Sequence, residues 1–462
     1  MRNFIDVSIN GVRQKIQGID AFRTLSDFLR YEQGATGTKV VCAEGDCGAC
    51  TVLTKSGTEE NFKSINSCIA FMWQLDGQEV VTVEGLKKND ELHPAQLAMI
   101  QCQGTQCGYC TPGFICSMAQ LAQDSKNENV VIDSKRAKNY LTGNLCRCTG
   151  YDSIIEASTK MDLTSLPDLN SAIVFDSASV ELEFDRQKIY LPQTLSEART
   201  YLREVPKIVS GATDLGVLHN KGRWSPQVMM SLKNIPELAH ITRSATHITI
   251  GATATLEQCS RELESDFPEF SRLLRIFASP QIKNSATLVG NMMNASPIAD
   301  SIPFLKSADA RIHLLSPTGE RVVDINEFFL EGYKKMDLKP QEIVTHISLP
   351  LNGLSFKLYK VSKRKDLDIS AVTLAIGFEK KGDQLLRFQL SLGGVAASVL
   401  RLKTLESQML NRALAEKDFI HLFNEIDPLI TPQSDVRGSS DYRRLLVRNL
   451  LLKFFHEVEG AL

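Results

Sequence analysis

The sequence predicts an α+β fold of several domains, and three observations carry that expectation. Alternating β runs joined by Asn-Gly open the chain, helical periodicity takes over from about Leu92 to Lys160, and short β-rich runs then interleave with helical ones. At 462 residues the chain has room for about three domains. Its composition, 43% apolar and 23% charged, is that of ordinary globular proteins, which excludes collagen, coiled coil and wholesale disorder.

Each element follows from local chemistry. Residues Ile5 to Ile16 form two alternating runs around Asn10-Gly11, which supplies the positive φ angles of a hairpin turn. Thr24 followed by Asp27 caps a helix with an apolar face of Leu25, Phe28 and Leu29, ending near Gly34. A Cys-rich loop comes next. Pro94 to Ile100 reads as one helix, Thr111-Pro112 as the N-cap and first position of a second, and further helices begin near Asp133 and after Asp152. Residues 161–188 show no sustained periodicity and read as a linker over the surface. Beyond it, runs such as Ile248 to Gly251 and Ile343 to Leu349 are strands, Leu195 to Arg203 is helical, and a second boundary is placed near Leu354.

Charge narrows the function classes. Lys plus Arg is 52 and Asp plus Glu is 54, a net charge of −2, without the basic excess that holds nucleic acid. The longest run free of Asp, Glu, Lys and Arg, Leu92 to Gln123, is interrupted by glutamines, prolines and glycines, so no membrane span is expected. The first residues lack the apolar core of a signal peptide, and a cytoplasmic location is the expectation.

In that compartment clustered cysteines point to metal or redox chemistry rather than disulfides. Of 11 cysteines, only Cys259 lies beyond residue 150. Cys42, Cys47, Cys50 and Cys68 have the C-x4-C-x2-C…C spacing of a plant-type 2Fe-2S ferredoxin site, with zinc or unligated thiols as the alternative. Gly45 and Gly48 let that loop wrap closely and leave backbone N–H groups for the sulfurs. Cys107, Cys110, Cys146 and Cys148 form a second set, for which spacing alone also admits structural zinc. Cys102-x4-Cys107-x2-Cys110 mimics the ferredoxin loop, so Cys102 is a further candidate ligand by spacing. Cys110 adjoins a helix start, where the dipole favours thiolate.

No G-x-G-x-x-G, no P-loop, no H-E-x-x-H and no G-x-S-x-G occurs. Hydrolase chemistry lacks support. Two turns, Ile208 to Gly216 and Ser285 to Asn291, place small residues after apolar runs, where backbone amides and hydroxyls can cradle phosphate; ordinary strand-to-helix turns are the alternative.

Three blocks, Cys42-Ala-Glu-Gly-Asp-Cys-Gly-Ala-Cys-Thr51, Gln106-Cys-Gly-Tyr-Cys-Thr-Pro-Gly113 and Asn144-Leu-Cys-Arg-Cys-Thr-Gly-Tyr151, resemble the iron-sulfur and flavin portion of the xanthine dehydrogenase group of molybdenum hydroxylases. The resemblance covers nearly the whole chain. It implies a β-grasp 2Fe-2S ferredoxin domain (1–85), a helical-bundle 2Fe-2S domain (86–160), the linker, an α+β FAD-binding domain of the vanillyl-alcohol-oxidase type (189–353) and a C-terminal α+β flavoprotein subdomain (354–462). It implies Cys107, Cys110, Cys146 and Cys148 as ligands of the second cluster, leaving Cys102, Cys116 and Cys259 as packed thiols.

For FAD, the resemblance implies one loop of Ile208, Val209, Ser210, Gly211, Ala212, Thr213, Asp214 and Leu215. It implies a second of Thr287, Leu288, Val289, Gly290 and Asn291, the two embracing the pyrophosphate. Phe277, Asp300, Val344 and Lys360 match further contacts, Asp300 toward the ribityl or ring edge and Lys360 near the isoalloxazine. Lys363 to Ile369 matches a loop bordering the flavin face where NAD docks. Two departures stand out: Val289 replaces a usual Gly, and Val41 precedes Cys42 where Gly is common.

The activity so implied is an electron relay with no substrate-converting residue of its own. A large partner subunit holding molybdopterin hydroxylates hypoxanthine or xanthine to urate, two 2Fe-2S clusters and FAD carry the electrons, and NAD accepts them, in a heterotetramer of two small and two large chains. Other molybdenum hydroxylases acting on aldehydes, N-heterocycles or aromatic acyl-CoA are an alternative, and a zinc scaffold with a binding module is another.

Overall fold

The computed structural model describes residues 1–57, 59, 61–171, 173–411 and 413–459. The chain divides into two compact units, one of Met1–Pro236 with Ser279–Ala286, the other of Glu237–Ala278 with Thr287–Leu462.

The first unit opens on a five-stranded sheet of β1 (Ile5–Ile9), β2 (Val12–Ile16), β3 (Thr51–Ser56), β4 (Lys63–Asn66) and β5 (Gln78–Val81), in the order β2-β1-β5-β3-β4. β1 runs parallel to β5 and antiparallel to β2. This is the β-grasp arrangement. Asn10 and Gly11 take φ of 51° and 84°, the left-handed pair that the hairpin demands. Thr24 accepts the Asp27 amide as expected, and the helix tightens into one π turn over Phe28–Glu32. Ile5, Val7, Leu25, Phe28 and Trp73 close the core beneath the sheet.

Four helices follow: Pro94–Gln101, Thr111–Asn127, Ser134–Leu141 and Asp152–Thr159. Asp133 caps the third by accepting the Arg136 amide at 2.7 Å. His93 caps the first through its ring nitrogen, which sequence reading had not assigned. Thr111 is not the N-cap of the second helix; that position is Cys110, and Thr111 is already helical. The apolar faces, with Phe114, Met118, Leu121, Ala98 and Ile154, form one core.

The expected linker needs correction at its end. Within 161–188, Met161 and Leu169 are buried, and Val180–Phe184 is strand β6, paired with β7 (Gln187–Leu191) around a turn with Asp185 at φ 53°. The signal was the alternation Val180, Leu182, Phe184, masked by the Ser- and Asp-rich stretch before it. β8 (Lys207–Val209) and β9 (Val228–Ser231) complete a sheet in the order β6-β7-β9-β8.

The second unit holds two sheets. β10 (Ile241–Arg243), β11 (His247–Gly251), β12 (Arg311–Ser316), β13 (Gly319–Asp324) and β14 (Ile343–Pro350) lie in the order β10-β11-β14-β12-β13. β15 (Ser355–Val361), β16 (Val372–Lys381), β17 (Gln384–Gly393) and β18 (Leu400–Arg401) form an antiparallel sheet in chain order, packed with helices Glu416–Ile426 and Ser440–Glu459 through Phe419, Val447, Leu451 and Phe454. Among the described residues no helix is long and apolar enough to cross a membrane.

Candidate redox centre

The loop between the π turn and β3 carries Cys42, Cys47 and Cys50, and Cys68 follows β4. Gly45 and Gly48 take φ of 75° and 68°, and these left-handed turns curl the loop so that its amides face sulfur. The amides of Glu44 and Asp46 each donate to Cys42 Sγ at 3.4 Å, and Asn66 Nδ2 donates to Cys50 Sγ at 3.8 Å. Cys42 is hydrogen-bonded to Cys47 and to Cys68, and Cys50 to Cys68. All four sulfurs of the first set are therefore brought together.

Such crowding sets the four thiols against one another: hydrogen bonds from neighbouring thiols hold those of Cys42 and Cys50 down. The Cys47 thiol is pushed up by its bond to Cys42 and by burial, and that of Cys68 by its bonds to Cys42 and Cys50 and by burial. Four thiolates coexist here only with cations among them, which is the charge that two irons supply; the donor set fits a 2Fe-2S cluster. Among the described residues no three His, Cys, Asp or Glu side chains already surround a point that would hold one metal ion.

The second set comes together from the start of helix Thr111–Asn127 and the loop before helix Asp152–Thr159. Cys148 Sγ lies 3.6 Å from Cys107 Sγ and 3.7 Å from Cys146 Sγ, and Cys110 is hydrogen-bonded to Cys146. Burial and the neighbouring sulfurs push the Cys110 thiol up to about 12. Burial also works against Cys146, but the hydroxyl and amide of Thr149 outweigh it and bring that thiol down to about 6. Cys102 sits at the end of helix Pro94–Gln101, packed against the helical core; Cys116 and Cys259 are fully buried, and desolvation pushes both thiols up.

The two sets differ in exposure. Cys50 and Cys68 are each only 2% exposed, whereas Cys107 and Cys148 reach the surface among exposed Tyr109, Leu145 and Tyr151. Between the sets the loops touch: the Leu145 amide donates to the Cys47 carbonyl at 3.0 Å, and the Tyr109 hydroxyl donates to the Val40 carbonyl at 3.1 Å. A Cβ on Gly48 would lie 2.3 Å from the Gly143 carbonyl oxygen, and one on Gly113 2.2 Å from that of Gly48, so only glycine permits the approach.

The turn after β8 holds Ile208 and Val209 on the strand, then Ser210 and Gly211, with Ala212 at φ 57° leading into the helix Thr213–Asn220 that contains Asp214 and Leu215. A Cβ on Gly211 would lie 2.1 Å from the Ser285 carbonyl oxygen. That helix reaches the first cysteine set, because Asn220 Nδ2 donates to the carbonyls of Ala43 and Cys68, each at 2.8 Å. Sequence reasoning missed Asn220, whose helix gives no sign of what its far end touches.

In the second unit Thr287 caps the helix Leu288–Met293, accepting the Gly290 amide at 3.0 Å, and Asn291 accepts the Ser301 hydroxyl at 2.6 Å. Leu288 and Val289 are buried and helical, so the valine occupies backbone any residue adopts. Val41 is 63% exposed and leaves the Cys42 turn intact. Phe277 ends helix Pro268–Phe277, half-buried, and Val344 is buried on β14.

Asp300 and Lys360 meet each other. Lys360 Nζ donates to Asp300 Oδ2 at 2.5 Å, to the Asp368 carbonyl at 2.7 Å and to the Ser370 hydroxyl at 2.8 Å, while Asp300 Oδ1 accepts from the hydroxyls of Ser370 and Thr373. The two side chains are 5% and 2% exposed, a fully paired buried ion pair.

Comparison with known families identifies four domains along the chain. The chain matches the 2Fe-2S iron-sulfur cluster binding domain over 7–72 and a second 2Fe-2S binding domain over 82–159. It matches the FAD binding domain in molybdopterin dehydrogenase over 182–352 and the CO dehydrogenase flavoprotein C-terminal domain over 357–458. Together these define an iron-sulfur flavoprotein.

Xanthine dehydrogenase/oxidase of Gallus gallus is 28% identical over 97% of this chain and 39% of its own length, and xanthine dehydrogenase 1 of Arabidopsis thaliana is 29% identical over 98% and 40%. The chain thus spans about two fifths of the curated relatives it matches. Among solved structures, carbon monoxide dehydrogenase from Hydrogenophaga pseudoflava superposes with a TM-score of 0.55 at 22% identity, over 58% of this chain and 96% of that one. Quinoline 2-oxidoreductase from Pseudomonas putida 86 gives 0.54 at 22%, over 59% and 96%; at this identity the likeness concerns fold. The matched domains and the relatives along the whole chain fit the iron-sulfur and FAD portion of the molybdenum hydroxylase family.

Proposed function

We propose that the chain is the electron-transfer subunit of a xanthine dehydrogenase, carrying electrons from a partner molybdopterin subunit through two 2Fe-2S clusters to FAD and on to NAD. The observation that carries this reading is the convergence of two four-cysteine sets whose loops share a direct hydrogen bond, Leu145 amide to Cys47 carbonyl. When bound, the clusters pass electrons singly and the flavin collects two. The chain's own residues hold and insulate them. Cys42, Cys47, Cys50 and Cys68 ligate the buried cluster, while Cys107, Cys110, Cys146 and Cys148 ligate the surface one, facing the partner through the apolar rim of Tyr109, Leu145 and Tyr151.

Amides of the Gly211 and Thr287 turns are assigned to the FAD pyrophosphate, with Phe277, Asp300, Val344 and Lys360 toward the rest of the cofactor. The largely exposed loop from Lys363 to Ile369 is assigned to the NAD side. The partner converts hypoxanthine and xanthine to urate in a cytoplasmic heterotetramer of two small and two large chains. A second reading, a relay for an aldehyde-oxidising member, is favoured by the 28% identity to aldehyde oxidase 2 of Rattus norvegicus over 98% of this chain.

Paramagnetic resonance of the reduced protein tests the ligand assignment. Cys148→Ser abolishes one of two signals and Cys102→Ser leaves both; the reverse outcome overturns it. Turnover by the co-purified partner with xanthine against aldehydes separates the two readings.

A further inference from the structure

The eight residues Ser279–Ala286 leave the unit that holds their neighbours in sequence and join the cysteine-bearing one. Ser279 caps a single turn, Pro280–Lys283, and the segment touches three places already described. Ile282 packs with Cys50, Cys68 and Ile69, and a Cβ on Gly45 would meet its side chain at 3.0 Å. The Ser285 carbonyl closes on Gly211. Between them Gln281, wholly buried at 0% exposure, enters the seam between the two cysteine loops.

There its Nε2 donates to Asn144 Oδ1 at 2.9 Å, to the Ser117 hydroxyl at 3.2 Å and to the Thr51 hydroxyl at 3.3 Å. Asn144, two residues before Cys146, in turn donates to the carbonyl of Gly48, between Cys47 and Cys50, at 3.1 Å. Thr51 donates to the same carbonyl at 2.6 Å, and Ser117 to Asn144 Oδ1 at 2.7 Å. Among the described residues Gln281 Oε1 has no hydrogen-bond partner, and it abuts Gly143, where a Cβ would lie 2.1 Å from it. A buried amide with one end unpartnered carries a desolvation cost, so the residue is not there as generic packing.

We propose that Gln281 is a positioning residue that locks the two cluster-bearing loops together, by holding Asn144 in the orientation that clasps Gly48. This rests on the assignment of both cysteine sets as cluster ligands. The lock acts on the Leu145-to-Cys47 hydrogen bond beside it, which joins the two loops directly at 3.0 Å. Loosening the amide network leaves each set of four sulfurs intact and lets the loops move relative to one another.

The experiment compares the full-length wild type with Gln281→Met, which keeps length and loses the donor, and Gln281→Glu, which keeps shape and replaces the donating nitrogen by an acceptor. Two quantities are read: amide hydrogen exchange of the segment containing Leu145, and the splitting of the paramagnetic signals when both clusters are reduced, measured on protein with full iron content. The expected result is exchange faster by about tenfold, the equivalent of one lost hydrogen bond, with a diminished splitting in both variants and iron content unchanged. Exchange and splitting equal to wild type overturn the proposal. If a variant fails to retain iron, exchange in the metal-free wild type and variant decides alone. A wild type that binds no iron would instead sink the ligand assignment, a separate failure.

Discussion

Gly48 and Gly11 are both glycines at positive φ, and they make different demands. A methyl group at Gly48 would strike the Gly143 carbonyl at 2.3 Å, whereas among the described residues nothing lies within 4 Å of one at Gly11. Gly48→Ala therefore costs about 2–4 kcal/mol, through displaced backbone, and Gly11→Ala about 1 kcal/mol, through the left-handed conformation alone. Urea unfolding of the two variants checks this, and equal losses would contradict it. Removing one member of the buried Lys360–Asp300 pair is costlier: Lys360→Met strands the carboxylate and loses about 3–5 kcal/mol, while Lys360→Met with Asp300→Asn recovers part of it. A double variant no more stable than the single one would show that the pair is not the cause. The cysteine spacing was legible because covalent proximity along the chain sets it. The pairing of Lys360 with Asp300, and of Gln281 with Asn144, was not, since each joins residues far apart in sequence that burial alone brings together.

Helix starts were legible where a short polar side chain accepts the amide three residues on, as at Thr24 and Asp133. The cap of Pro94–Gln101 is different. His93 Nδ1 accepts the Ala95 amide at 3.1 Å, which requires the neutral ring, and burial pushes its pKa down to about 4. An unfolded histidine titrates near ~6.5, so between about pH 6.5 and 4 the unfolded chain binds a proton that the native helix refuses. Stability is thus complete above that window and is lost as pH falls through it, by up to about 3 kcal/mol from this group. His93→Asn keeps a cap without the titration, and its stability changes less over the window; a slope identical to wild type would refute the assignment. The hairpin of β6 and β7 escaped sequence reading because five alternating residues follow a Ser- and Asp-rich stretch, and a strand that short is specified by its partner.

At the scale of the whole molecule, the chain interleaves its parts: Ser279–Ala286 belongs to the cysteine-bearing unit although both flanks belong to the other. No periodicity announces such an excursion, because it is defined by what it packs against. The α+β class, the opening hairpin and the helical second part were legible, since hairpin chemistry and amphipathic faces are local properties, whereas the β-grasp order followed only from the resemblance of the cysteine blocks. The central claim is that this chain holds two iron-sulfur clusters and one flavin. Metal, acid-labile sulfide and flavin analysis of anaerobically purified full-length protein tests it most directly. Four irons, four sulfides and one FAD per chain is the predicted result, and a colourless protein containing zinc, or no metal after reconstitution, would contradict it.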